Sequence, residues 1–339
     1  MVEVTINPKK WNEIVNHNNS KIYHLYEWGR LLNDVHGHKL IYLEDDKGVF
    51  PLACVKSFIF GNRLISLPFA DYGGPCTNDK ETADTLVARA EDAAEELDVD
   101  FIEIRSPRKE YFGIFEKHDF VRRDDYVTFI LHLDKDVERL WKSIAQENRT
   151  AIRKARKSGV EVVEAKNKSD LRAFYELYLK TMKRLGSPPQ PRKFFETVWD
   201  LFYPERLKIL FAVHDNKCIA SALFFKHRDT IHYSYGCSLR EYAKFRPNNL
   251  LFWTLIEWGA ENGFKYLDFG RTREKSGVWL FKRKWGGELV KMPYFYKFYK
   301  KELKERQEIQ YGQLSKLWSK YMPEFIANKI GPWIIKQIG

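Results

Sequence analysis

The chain of 339 residues contains no apolar run of the roughly 18 residues that a membrane-spanning helix needs. Its start, MVEVTINPKKWNEIV, lacks the apolar stretch and small-residue cleavage site of a secretory signal, so a cytoplasmic protein is expected. Cysteine is scarce: Cys54, Cys76, Cys218 and Cys237 stand far apart, outside any CxxC or CxxH unit. That spacing indicates neither a zinc site nor a disulfide framework, and it predicts buried free thiols in a reducing compartment. No HxxxH or HxH grouping comes with a suitable carboxylate, so no metal is assigned. No segment sustains heptads, which leaves no long coiled-coil arm.

What the chain does hold is apolar and basic. Hydrophobic residues make up 44% and aromatics 15%, enough for a large core, and about two domains are expected at roughly 150 residues each. Lys and Arg number 57 against 46 Asp and Glu, a formal net charge of +11 that points to a polyanionic partner. Charge alone leaves tRNA, a nucleotide diphosphate and an anionic membrane face equally open.

A faint internal repeat organises the chain. Leu40 to Ala53 reads LIYLEDDKGVFPLA and Leu210 to Leu223 reads LFAVHDNKCIASAL, each an apolar run entering and leaving a polar turn, as a β-hairpin does. A strand, a loop, an amphipathic helix and a further apolar strand follow each hairpin. In the first half these are Arg63 to Pro68, Asp71 to Thr77, Lys80 to Leu97 and Asp100 to Arg105. In the second they are Thr230 to Ser238, Leu239 to Pro247, Asn248 to Asn262 and Tyr266 to Arg271. The closing strands FIEIR and YLDFGR both carry an acid inside an apolar run, Glu103 and Asp268. The pattern predicts an α/β protein with mixed sheets, divided into domains at 1–135 and 136–299. Between the repeats, Leu140 to Lys157 reads as one basic helix stopped by Gly159, and Ser169 as the N-cap of a helix to Arg184. The prolines of GSPPQP, 186–191, demand an irregular loop before a helix near Arg192.

Several residues suit chemistry. An unpaired carboxylate within an apolar strand is costly, so Asp268 either orients a reacting group or accepts its proton, or is buried against Arg271, Lys265 or backbone. Strict alternation puts Tyr233 and Tyr235 on one strand face, where they line a cleft or pack in the core. Arg149, Arg153, Arg156 and Lys157 recur at helical spacing, a face for tRNA or nucleotide phosphates or for plain solvent.

The runs SYGCSLREYAKFRPNNLLFWTLIEWGAENGFKYLDFGRT and GVWLFKRKWGGE resemble the FemABX family, tandem GNAT-fold aminoacyltransferases of peptidoglycan bridge formation, with their exosortase-associated and archaeal relatives. HLYEWGRLLNDVHGHK, FPLACVKSFIFGNRLISLPFADYGGP, NRTAIRKARKSGV and TMKRLGSPPQPRKFF carry the likeness through roughly residues 20 to 295. The resemblance implies two tandem GNAT-like acyltransferase domains, each splaying two parallel strands around an activated acyl group. It further implies no tightly bound cofactor, aminoacyl-tRNA or acyl-CoA as co-substrate, and transfer to an amine of a nucleotide- or lipid-linked envelope precursor. A monomer is expected, at the inner face of the membrane if the acceptor is lipid-linked.

Site residues follow from the same likeness. The family's Phe-Lys pair maps to Phe281 and Lys282, with the lysine on a strand or turn edge beside acceptor phosphate or the developing oxyanion; a solvated KRK strand is the plain alternative. The loop SLREYAKFRPNN has no glycine where acyl-CoA users cradle pyrophosphate, which weakens CoA as donor. Its Arg240, Tyr242 and Arg246 can grip phosphate or stack on a base or sugar, or merely precede a helix capped by Asn248 or Asn249. Asp71, Tyr72, Gly73 and Gly74 stand at the counterpart loop, near which the likeness puts the acceptor; a sharp structural turn is the alternative. Founders often carry a lysine one helical turn after the N-terminal Trp, whereas here Leu32 follows Trp28, leaving Arg30 or Lys39 as substitutes. The tail, 300–339, reads as an amphipathic helical segment that packs back on the N-terminal domain or lies in a membrane interface.

Overall fold

A computed structural model describes residues 6–58, 60–300 and 324–339. These divide into two compact units, one holding the described residues of 6–125, 292–300 and 332–339, the other 126–291 and 324–331.

The first unit is built on a hairpin of β1 (Lys39–Asp45) and β2 (Gly48–Val55), joined through Asp46 and Lys47. The short strand β3 (Arg63–Ile65) continues the sheet, β4 (Cys76–Thr77) pairs with β2, and β5 (Phe101–Arg105) lies parallel to β3. β6 (Val121–Arg123) closes the described part. The helix Lys80–Glu96 starts where the Asp79 carboxylate accepts the Thr82 N–H, and its Ala83, Leu86, Val87 and Ala90 bury against this sheet.

The second unit opens with β7 (Tyr126–His132). β8 (Glu161–Glu164), β9 (Leu207–His214), β10 (Lys217–His227) and β11 (Thr230–Ser238) follow, then β12 (Tyr266–Asp268), β13 (Thr272–Arg273) and β14 (Glu288–Lys291). The order is β13-β7-β12-β11-β10-β9-β8, with β14 on β7. All its pairings are antiparallel except β11 with β12. The turn between β9 and β10 falls on Asp215 and Asn216, both at positive φ (48° and 59°), the left-handed pair that suits a tight two-residue hairpin. The helix Pro247–Glu261 buries Leu251, Leu255 and Ile256 with Ile231, Leu267 and Phe129, and a Cβ at Gly259 would meet the Ile231 side chain at 2.7 Å.

The chain then returns to the first sheet. β15 (Tyr294–Phe298) pairs antiparallel with β5 and with β6. The domain limits expected at 135/136 and 299 therefore move: β7 belongs with β12, β13 and β14 in the second unit, and everything from Met292 to β15 belongs with the first. Sheet pairing, which a linear reading cannot supply, sets both borders. In the tail, residues 301–323, including Leu314, Leu317, Trp318 and Tyr321, lie outside the described residues. The helix Glu324–Ile338 runs through Pro332, and residues 332–339 group with the first unit, where Arg63 donates to the Gln337 and Ile338 carbonyls.

Three local readings are corrected. The basic helix is two helices, Val137–Ser143 and Gln146–Lys157, because Ile144 and Ala145 turn extended and the Ala145 N–H goes to the Lys284 carbonyl. Ser169 is not an N-cap: a 3-10 turn, Lys168–Asp170, opens at Asn167 and leads into the helix Leu171–Leu185. The four cysteines are free thiols, but Cys218 is only half-buried.

Candidate active site

β11 and β12 pair in parallel over three registers only, Thr230 with Tyr266, Ile231 with Leu267 and His232 with Asp268. Beyond that point β11 runs on to Ser238 against β10, while the Phe269 N–H goes to Phe129 of β7 and the chain turns at Gly270, φ 69°. The two strands part at His232 and Asp268.

Asp268 is 1% exposed and is held by specific partners. Thr128 Oγ1 donates to Oδ1 at 2.7 Å, the Gly270 N–H donates to the same oxygen at 2.9 Å, and His232 Nδ1 lies 3.2 Å from Oδ2. A buried carboxylate so supplied is satisfied in its hydrogen bonds and fixed in orientation. His232 itself is 6% exposed.

Lys282 does not sit on a strand or turn edge. It is in the helix Gly277–Arg283, which starts where Ser276 Oγ accepts the Trp279 N–H, and it is 3% exposed. Helical periodicity turns Lys282 inward while Arg283 and Lys284 stay outside, so the KRK run is not one solvated strand. Lys282 Nζ donates to the carbonyls of Gly270 at 2.8 Å and Arg271 at 3.2 Å and lies 5.4 Å from the Tyr233 ring centre. The turn leaving β12 is thus clamped by a carboxylate on its N–H and an ammonium on its carbonyls. Phe281 packs on Phe252 and Trp285, with ring centres 5.5 and 5.9 Å away, as part of the core.

Tyr233 and Tyr235 are not on one face. Register slips between Leu223 and Phe224 of β10, which pair with Tyr235 and Tyr233, so Ser234 is the extra residue of a β-bulge. Tyr233 packs on Phe252 at 4.9 Å; Tyr235 packs on Phe195 at 5.2 Å and Phe194 at 5.9 Å, on the helix Arg192–Phe202. The Tyr233 hydroxyl lies along the backbone of Gly236, where a Cβ would sit 1.9 Å from it. Burial pushes the Tyr233 phenol well above its ordinary pKa, so it stays a hydroxyl.

The loop after β11 holds a 3-10 helix, Arg240–Phe245, and Arg246 at φ 58° is the N-cap of the next helix, with Pro247 in its first turn. Neither Asn248 nor Asn249 caps it; Asn249 donates instead to Asn148 at 3.0 Å. Tyr242 accepts from Lys217 Nζ at 3.1 Å, whereas Arg240 and Arg246 are exposed. Of the basic face, Arg149 turns inward, donating to the carbonyls of Trp141, Lys142 and Ile144, and Arg156 pairs with Glu257 at 3.3 Å. Lys157 remains exposed.

Asp71, Tyr72, Gly73 and Gly74 belong to the other unit. The Gly73 N–H donates to the Arg105 carbonyl at 2.7 Å, and a Cβ at Gly73 would lie 2.0 Å from the Ser66 carbonyl oxygen, which accounts for that glycine by close backbone approach. Gly74, at φ 89°, takes the left-handed turn, Tyr72 is buried beneath Lys21 at 5.0 Å, and Asp71 is half-exposed. Leu32 is fully buried, and Arg30 pairs with Asp34 at 3.3 Å. Two hollows lie in the second unit, about 390 Å³ around Trp141, Trp253 and Glu257 and about 340 Å³ around Arg206, Lys226 and Arg228; Arg156 of the basic face lines the first, and neither includes Asp268, Lys282 or the two tyrosines.

Sequence reasoning missed His232 and Thr128 as site members. His232 carried only its alternation with the tyrosines, and Thr128 lies 140 residues from Asp268 with no local motif.

Residues 142–303 match a family model described as an acetyltransferase (GNAT) domain. The chain is 24% identical to the lipid II:glycine glycyltransferase of Staphylococcus haemolyticus (strain JCSC1435), over 48% of this chain and 57% of that protein. It is 22% identical to the UDP-N-acetylmuramoylpentapeptide-lysine N(6)-alanyltransferase of Weissella viridescens, over 70% of this chain and 75% of that protein. It thus spans little more than half the length of the glycyltransferase it matches. Among solved structures, the crystal structure of FemX superposes with a TM-score of 0.70 at 17% identity, covering 93% of this chain and 100% of that one.

Proposed function

The chain belongs to the FemABX family, and on that premise we propose that it is an N-acyltransferase that moves an amino acid from aminoacyl-tRNA to an amine of a nucleotide- or lipid-linked cell-envelope precursor. One observation carries the reading: a parallel strand pair that ends on a buried carboxylate, Asp268, with the exit turn held by a buried ammonium, Lys282.

In the reaction the acceptor nitrogen attacks the ester carbonyl, an amide C–N bond forms and the ester C–O bond breaks. The tRNA ribose oxygen leaves, taking up the proton that the amine gives away. No covalent enzyme intermediate is required, because the ester is already activated and held beside the amine. Asp268 orients or deprotonates the amine, and Lys282 puts positive charge near the tetrahedral oxyanion while its carbonyl bonds keep it in place. The carbonyls of Gly270 and Arg271 relay that fixed orientation to the wedge between the strands. The loop Arg240–Arg246 offers exposed cations and no glycine, which suits a large polyanionic donor better than a CoA pyrophosphate.

Incubation with labelled aminoacyl-tRNA or labelled acetyl-CoA, with UDP-linked and lipid-linked precursors as acceptors, tests the reading. Labelled precursor from the tRNA donor is expected. Transfer from CoA with none from tRNA overturns the donor, and binding of a precursor with no transfer from either donor overturns the enzyme.

A further inference from the structure

In the first unit, between β2 and β3, Ser57, Phe60 and Gly61 are tied to one another. The Gly61 N–H donates to the Ser57 carbonyl at 3.0 Å, the Phe60 N–H donates to Ser57 Oγ at 3.0 Å, and Gly61 takes φ 77°. Phe60 turns in, 7% exposed, with Arg63 on its ring at 5.7 Å. Phe58 turns out and is 99% exposed. A single exposed phenylalanine needs no explanation, but this one has a companion.

The same loop anchors the end of the helix Glu324–Ile338. Ser57 Oγ donates to Gln337 Oε1 at 3.4 Å, and Arg63 Nη1 donates to the Ile338 carbonyl at 2.8 Å. Trp333, four residues before Gln337, shares its helix face and is 60% exposed. Two large aromatics are thus presented to solvent from segments bonded to each other, so their positions are coupled.

Within the two segments themselves the charge has one sign, although Asp100 accepts the Asn62 N–H at 2.7 Å at the far end of the loop. Residues 47–70 contain Lys47, Lys56 and Arg63 and no Asp or Glu; residues 325–339 contain Lys329 and Lys336 and again none. Lys56 and Lys336 are exposed. The two exposed aromatics thus stand on bonded segments whose own charged residues are all basic. Aromatic side chains flanked by lysines match the region where a bilayer passes from headgroup to acyl chain: the rings enter the interface and the ammonium groups meet anionic phosphate. No helix among the described residues is long and apolar enough to cross a membrane, so such a contact is peripheral.

We infer that Phe58 and Trp333, with Lys56 and Lys336, form a docking surface for an anionic lipid bilayer. It gives the acyltransferase reading a route to a lipid-linked acceptor, and it can fail separately from that reading.

Co-sedimentation of the full chain with vesicles of phosphatidylglycerol and phosphatidylcholine, or of phosphatidylcholine alone, reads the partition directly. Binding to the anionic vesicles at low salt is expected, about tenfold weaker in F58S/W333S, weaker in K56E/K336E, and retained in F58Y/W333F. The exposed positions should leave folding and transfer to a soluble nucleotide-linked acceptor unchanged, while transfer to a vesicle-embedded acceptor falls. Wild-type protein that ignores anionic vesicles, or F58S/W333S that binds like wild type, overturns the inference. So does a dimer seen by light scattering that F58S/W333S dissolves without any vesicle binding, which assigns the patch to a second copy. Vesicle binding by a protein inactive on every acceptor overturns the enzyme reading and leaves this one standing.

Discussion

The two repeats reach the same topology, a parallel strand pair closing on a buried acid, and then treat that acid differently. In the first, β3 and β5 pair as far as Ile65 and Glu103. Arg105, 5% exposed, bonds Glu103 at 2.6 Å and also donates to the carbonyls of Ala70 at 2.8 Å and Leu67 at 3.2 Å. The loop from Ser66 to Gly73 is drawn onto the end of the strands and its cation is spent on the protein itself. In the second, the pairing of β11 with β12 ends on His232 and Asp268, and the loop after β11 leaves toward Lys217 and His214, where Phe245 stacks on the imidazole at 4.3 Å. At the first splay a guanidinium holds the acid and ties backbone over the strand ends; at the second the acid meets an imidazole, a hydroxyl and a backbone N–H, the groups that would handle the amine proton in the proposed reaction.

If the first splay is sealed by Arg105, Arg105→Met should cost the most, about 3 to 5 kcal/mol of stability in urea unfolding, because Glu103 and two backbone carbonyls lose their donor while buried. A loss under about 1 kcal/mol would remove Arg105 from the comparison. Next comes Lys282→Met, which keeps bulk and deletes the charge: transfer should fall on the order of 10² to 10³, with a smaller loss of stability from two carbonyl bonds. Unchanged turnover would make Lys282 a backbone clamp only. Asp268→Asn preserves shape and should lower transfer by about 10² with a melting temperature within about 4 °C of wild type. A collapsed fold in that variant would equate Asp268 with Glu103 as a structural acid.

The smallest effect separates the two units by acid. Burial holds His24 down to about 4 and His38 to about 3, both in the first unit. Lys21 donates its N–H to His24 Nδ1 at 3.0 Å, which protonation would block, and His36, Lys336 and Arg63 add positive charge near His38. Because the unfolded imidazoles take protons near pH 6.5 while the folded ones do not, their contribution is complete above that pH and is lost as pH falls toward 4. Stability should drop by roughly 1 to 3 kcal/mol between pH 7 and 5, read as a falling melting temperature. A flat profile would contradict the burial of both rings in the neutral form.

Element order was legible because it is written locally. Apolar alternation around Asp-Asn and Asp-Lys turns marked both hairpins, and the amphipathic period of Lys80–Glu96 and the proline before Asn248 marked the helices. The site was legible as a set of names rather than an arrangement. Asp268 and Lys282 were named as candidates and both are buried beside the turn that leaves β12, but the lysine was expected on a strand or turn edge; a seven-residue helix capped by Ser276 turned it inward. Tyr233 and Tyr235 were put on one face by counting, and a single extra residue, Ser234, reversed one of them. The basic helix looked continuous because Leu140 to Lys157 has no proline or glycine, yet the Lys284 carbonyl captures the Ala145 N–H and breaks it.

The sequence by itself determined which segments are strands, turns and helices, since those depend on φ preferences, hydrogen bonds a few residues long and the period of apolar side chains. It also determined that an acid lies inside each closing strand. Tertiary structure alone decided which of those acids is neutralised and which is left beside an imidazole. Arg105 is two residues from Glu103, but it closes the splay only because Leu67 and Ala70 fold back over it. Thr128 reaches Asp268 from 140 residues away because β7 pairs beside β12, and β15 rejoins the first sheet after the whole second unit has been traversed. Such partners follow from strand register, which is fixed by the sum of many weak contacts across the sheet and leaves no signature at any one position.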